Sequence, residues 1–140
     1  MPRPAHTLPE LALTLALLAL VAAIAAPSLA QGTTNWKVRA AVSDVVNALV
    51  LAREAALARG AAATFAVDPA RGTIAVTCGR DTLLHRALGA SHGVTLAASG
   101  DSVRYAPTGL ATGLSNMTLL VARGGRVDSV VVSRLGRVRW

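Results

Sequence analysis

At 140 residues the chain has room for one modest domain and an appendage. Hydrophobic residues make up 53%, charged residues 15% and aromatic residues 3%, so a core must be built mainly from Val, Leu and Ala, with little apolar area per residue. The net charge of +7, in which Lys37 is the one lysine among arginines, attracts polyanions or acidic neighbours without naming a partner, and a lone Cys78 excludes an intramolecular disulfide and reads as a small buried thiol.

The apolar excess is local. Leu11 to Ala30 carries no charge, and at about 1.5 Å per residue it is roughly 30 Å long, the thickness of a bilayer core. A secretory signal peptide is one reading: Arg3 is its positive n-region and Ser28-Leu29-Ala30 its small-residue cleavage site. A single-span anchor with Arg3 on the cytoplasmic side is another. Both leave Glu10 without a role. A carboxylate at the edge of an apolar span costs about 2–3 kcal/mol on insertion scales, so it is retained where it is paired or functional.

A third reading gives Glu10 a task. The segment Ala5-His6-Thr7-Leu8-Pro9-Glu10, followed by a long apolar helix with Pro27 near its end, resembles the type IV pilin N-terminal signature. The resemblance implies that a prepilin peptidase cuts between Ala5 and His6, that the new N-terminal His6 is methylated, and that Glu10 is the fifth residue of the mature chain. Glu10 then pairs with the α-amino group of His6, in its own chain or a neighbour's, and sets the axial register of stacking helices. Pro27 falls where pilins carry a helix-kinking proline. The chain departs from the family in having Ala5 and His6 where Gly and Phe are preferred, and Pro9 where an aliphatic residue is usual; Pro is tolerated in a first helical turn.

Next in the chain, Gln31-Gly32-Thr33-Thr34-Asn35 predicts a break, with Thr34 or Asn35 capping a second helix. Val38, Val42, Val45, Val46, Leu49 and Ala56 recur at helical spacing and predict an amphipathic helix ended by Gly60. After Ala61 short Val/Thr/Ile-rich runs alternate with turn residues, which predicts antiparallel strands at Thr64–Val67, Thr73–Cys78, Val94–Ala97, Ser102–Tyr105, Met117–Val121, Arg126–Ser133 and Arg137–Arg139. Gly124-Gly125 predicts a two-residue hairpin loop.

Within this head, Arg53-Glu54-Ala55-Ala56, Val103-Arg104-Tyr105-Ala106-Pro107-Thr108-Gly109 and Val130-Val131-Val132-Ser133-Arg134-Leu135-Gly136-Arg137 resemble motifs of the GspH/FimT family of minor pseudopilins. The resemblance implies an α+β fold: a long N-terminal α-helix, half transmembrane and half amphipathic, packed on a small antiparallel β-sheet head. It divides the chain into a leader at 1–5, a transmembrane or filament helix at 6–30, an amphipathic helix at 31–60 and a β-rich head at 61–140. The implied task is non-catalytic assembly into the pseudopilus of a type II secretion system or a related pilus. The implied partners are other pseudopilins, the prepilin peptidase and the inner-membrane platform, with the head outside the cytoplasmic membrane.

Residue chemistry points away from enzymes. His85 and His92, read as lying in a loop, lack a Cys or carboxylate at metal-ligand spacing, and neither a Gly-x-Ser-x-Gly elbow nor a phosphate-binding Gly loop is present, so no cofactor or metal is expected. Asp68, Asp81 and Asp101 fall in predicted turns, where Asp is favoured for local hydrogen bonding. Arg123, Arg126, Arg134, Arg137 and Arg139 crowd the end of the sequence, and strand alternation puts Arg137 and Arg139 on one face. Guanidinium groups clamp phosphates, so Arg134, Arg137 and Arg139 are candidate DNA contacts, with Trp140 stacking on a base or packing on the sheet. The Gly-Arg-x-Arg ending resembles that of DNA-binding FimT-type pilins.

Overall fold

The longest element, α1 (Leu8–Arg59), contains every helical stretch anticipated upstream of the strands. It belongs to a computed structural model that describes residues 7–113 and 116–140, leaving out the side chains of 26–30. Two units follow along the chain, the first ending at Thr33 and the second running Thr34–Trp140.

The first unit is helix. Leu and Ala dominate it, and both are strong helix formers. Leu8–Ala25 has a mean hydropathy of 2.2 and none of it is buried, a helix long and apolar enough to cross a membrane. The anticipated break at Gln31–Asn35 does not form, and neither Thr34 nor Asn35 is a cap; these residues are helical. One interior glycine costs about 1 kcal/mol relative to Ala, whereas starting a second helix requires a new and costly nucleus, so continuation wins.

In the second unit α1 buries the predicted stripe Val38, Val42, Val45, Val46, Leu49 and Ala56, with Ala41, Ala48 and Ala52 filling the spaces between. α1 stops at Arg59, with Gly60 in the left-handed region at φ +58°. Two antiparallel sheets share its core, where a single small sheet was expected. The first contains β1 (Ala63–Asp68), β2 (Thr73–Cys78), β3 (Asp81–Ala87), β5 (Ser102–Tyr105) and β6 (Ala111–Thr112) in the order β3-β2-β1-β5-β6. The second contains β4 (Thr95–Ala98), β7 (Met117–Arg123), β8 (Arg126–Val132) and β9 (Val138–Arg139) in the order β4-β7-β8-β9. A short α2 (Leu88–His92) joins β3 to β4. The sheets separate because β4 pairs with β7, Leu96 opposite Val121, rather than with its sequence neighbours.

Alternation builds the shared core: Ala63, Phe65 and Val67 of β1, Ile74, Val76 and Cys78 of β2, and Met117, Leu119 and Val121 of β7 all point inward. Cys78 is buried, as its sequence reading required. Gly124 (φ +52°) and Gly125 (φ +83°) form the hairpin loop between β7 and β8, both in the positive-φ region that a type I′ turn demands.

His85 and His92 are not in a loop: His85 pairs within β3 opposite Ala75, and His92 closes α2. His92 Nε2 lies 3.0 Å from Asp44 Oδ2 of α1, and the same carboxylate pairs with Arg86 of β3. Arg123 of β7 donates to the His92 carbonyl, so one turn of α1 is tied to both sheets through Asp44. Asp81, expected in a turn, begins β3 and accepts from Arg59 at 2.7 Å.

Candidate functional site

Of the residues assigned to leader cutting and methylation, Ala5 and His6 lie outside the described residues. Glu10 sits exposed in the first turn of α1, its N–H donating to the Thr7 carbonyl at 3.0 Å. Pro27 falls inside α1. Glu10 is the one acidic residue in an exposed apolar span, and in a lipid environment its carboxylate must find a cation or a donor.

The arginine-rich segment is organised by a tight return. Ser133 N–H donates to the Arg137 carbonyl at 2.8 Å and Gly136 N–H to the Ser133 carbonyl at 2.8 Å, while Ser133 Oγ accepts from Arg137 N–H at 3.1 Å. This folds β9 back against β8, with Val131 opposite Arg139 and Val132 opposite Val138. Val138 packs against the core while Arg137 and Arg139 are exposed, the alternation anticipated from the sequence. Arg134 is in the preceding turn, its N–H donating to Asn116 Oδ1 at 3.2 Å, and does not line the groove that Arg137 and Arg139 share.

That groove, of about 430 Å³, brings in Arg53 from α1 and Tyr105 from β5. It continues past Trp140 into a second groove of about 720 Å³ between α1 and β8. Trp140 does not pack flat on a sheet: it is 75% exposed at the junction of the two grooves. Burial pushes the Tyr105 hydroxyl above its ordinary value, an effect that the nearby Arg53 guanidinium opposes. Arg39, Ser43, Asn47 and Arg53 are the lining residues that the sequence reading passed over. Their signal was position, on the exposed side of α1 beside the buried stripe, and Arg53 is also in a stretch that resembles the family.

The three head stretches that resemble family motifs converge on Tyr105. Gly109 closes the turn after it, donating to the Ala106 carbonyl at 2.8 Å, and packs on Leu57. Gly136 presses on the Tyr105 ring from the C-terminal side, and Arg53 approaches from α1. Residues far apart in sequence are thus a single packing unit. The sequence profile of the type II transport protein GspH family matches residues 41–136, which contain all of them.

The chain belongs to the GspH family. It is a type IV pilin-like minor pseudopilin, a structural component of a pilus or pseudopilus. The GspH fold seen here is also that of the type IV minor pilin FimU of Pseudomonas aeruginosa, at 13% identity and a TM-score of 0.65 over 76% of this chain and 90% of that one. A second crystal form of FimU gives 12% identity and a TM-score of 0.61, covering 72% and 90%. The minor pseudopilin EpsH of the Vibrio cholerae type 2 secretion system gives 16% identity and a TM-score of 0.54 over 71% of this chain and 91% of that one. No curated protein matches the chain by sequence. Pseudopilin-family members are structural proteins rather than enzymes, and an apolar N-terminal helix such as Leu8–Ala25 is consistent with single-pass anchoring.

Proposed function

We propose that the chain is a non-catalytic minor pseudopilin of a type II secretion system or a related pilus, cut after Ala5, methylated on His6 and held in the cytoplasmic membrane until it joins a filament. The observation that carries this reading is Glu10 at the head of an exposed apolar helix in a chain whose second unit has the GspH fold. Glu10 pairs with the amino group of His6 and fixes the rise between neighbours, Pro27 bends the helix, and the head stands outside the membrane. Its neighbours are other pseudopilins and the platform that inserts them; it needs no cofactor.

Mass spectrometry of the mature N-terminus tests this. A chain beginning at methylated His6 supports it. A chain beginning at Gln31 makes the protein an exported β-rich domain freed from a signal peptide and ends the filament reading.

A second reading, DNA capture for uptake, is favoured by one observation. Arg137 and Arg139 are exposed side by side, and among the described residues neither meets a carboxylate. Phosphate contacts of this kind weaken steeply with salt. Binding of a duplex that falls with added salt and is lost in Arg137→Ala/Arg139→Ala supports this reading; salt-insensitive or absent binding removes it.

A further inference from the structure

β8 is paired along its whole length on one side only. β7 matches all of it, from Arg126 opposite Arg123 to Val132 opposite Met117, whereas β9 covers just Val131 and Val132. The Ser133 N–H turns toward the β9 side, where it meets the Arg137 carbonyl. Ladder alternation makes Val131, Ser129 and Val127 turn their backbone N–H and C=O groups the same way. Val131 meets Arg139, while nothing among the described residues pairs with the edge at Val127 and Ser129. β9 runs antiparallel to β8, so a strand laid against Ser129 and Val127 in the same direction would be collinear with it.

The 720 Å³ groove lies along this open edge. Its other wall is the exposed face of α1, with Val42 and Val46 at the base and Arg39, Ser43 and Asn47 along the rim. Trp140 stands at the end nearest β9. An unpaired strand edge beside an apolar trough with polar walls is the geometry of strand addition, in which backbone bonds give affinity and alternate side chains give selectivity.

Charge selects the occupant. Arg39 and Arg126 line this groove and Arg53, Arg137 and Arg139 its continuation, against one acidic side chain, Asp128, already bound to Arg126 at 2.8 Å. A second copy of a chain with net charge +7 brings like charge to this rim. A duplex presents a convex polyanion, which suits the outward Arg137 and Arg139 better than a trough with a Val42 and Val46 floor. We infer that the edge of β8 and the facing side of α1 form a docking groove for an extended segment of a neighbouring subunit, one that alternates apolar and acidic side chains and adds to the second sheet in line with β9.

That the donor is a filament neighbour rests on the proposed function; the groove's preference does not, and it is measured without a filament. Full-length protein in zwitterionic nanodiscs is titrated with a short peptide alternating Val and Glu, with its Val/Lys counterpart, and with a DNA duplex. The Val/Glu peptide should bind about tenfold or more tighter than Val/Lys. It should also slow hydrogen exchange at Val127 and Ser129 while leaving β4, the other edge of the sheet, unchanged. Val127→Pro removes an outward N–H from the edge, and Asn47→Trp fills the trough from an exposed helix position, so the second remains informative where the first disturbs folding. Both should abolish Val/Glu binding. Equal affinity for the two peptides, binding that Asn47→Trp leaves intact, or protection elsewhere overturns the inference. So does a duplex that competes for the groove and loses its binding in Asn47→Trp, which makes the site one for nucleic acid. Failure in any of these ways leaves a chain cut at His6 and methylated as it was.

Discussion

Tyr105 is the largest fully buried side chain in the head, and Gly136 is what allows the C-terminal return to lie on it. Gly136 has φ +76°, and a Cβ there falls 2.9 Å from Tyr105 Cε1. Gly136→Ala therefore meets both backbone strain and a clash with a packed ring, and should lower stability by about 1–3 kcal/mol in chemical denaturation of the full chain in detergent. Gly100 has open space around it, so Gly100→Ala should stay within about 0.5 kcal/mol. Asp68 offers a test in pH. The Arg71 N–H donates to its carboxylate at 3.0 Å, which holds the group below its usual 3.8 against a desolvation effect in the other direction. A depressed carboxyl contributes stability above the unfolded value and loses it as pH falls through the folded one. The Asp68 carboxyl resonance should accordingly titrate below 3.8, and Asp68→Asn should flatten the acid limb of the stability curve.

The buried side of α1 sets the tolerance of the head as an element. Leu49 is 1% exposed within the shared core, so Leu49→Ala should cost about 2–5 kcal/mol, whereas Val50, one residue on and 45% exposed, should tolerate Ala with a small fraction of that loss. A denaturation series on the two variants checks the assignment of faces. Elements with regular periods were readable from sequence. β2 and β5 occupy the spans anticipated for them, because alternation and flanking turn residues coincide there. β3 was invisible since its burial does not alternate: Leu83 and Leu84 are both half-buried, and a bulge interrupts its register between Val76 and Thr77. α2 is shorter than two helical turns and β6 is two residues long, so neither has a period to read. Strand partners were equally hidden, which is why one sheet was anticipated where there are two. The docking groove escaped for the same reason: Asn47 and Ser129 face each other across one groove only once the second sheet has closed on α1.

At the scale of the whole molecule, the proposed function gives the apolar N-terminal half of α1 and the head separable tasks. Glu10 contributes nothing to the head's core, so Glu10→Ala should leave head stability unchanged while reducing recovery of the chain in sheared filaments. Denaturation measured beside filament content in cells decides this; a head destabilised by the substitution would contradict the separation. The proposed N-terminal signature depends on spacing in the sequence alone, with Glu10 the fifth residue of the expected mature chain. The Arg tail was half legible, since alternation located Arg137 and Arg139 but gave no hint that Arg53 joins them or that Arg134 stays apart.

The Asp44 contacts have a mechanical meaning in a filament. A pull delivered to the second unit along α1 reaches β3 through Arg86, and reaches α2 and then β7 through His92 and Arg123. Charge-assisted hydrogen bonds are directional and add fixed points of attachment to the close-packed apolar contact between helix and sheets. One carboxylate therefore links α1 to both sheets, so that a load on the helix is shared between them.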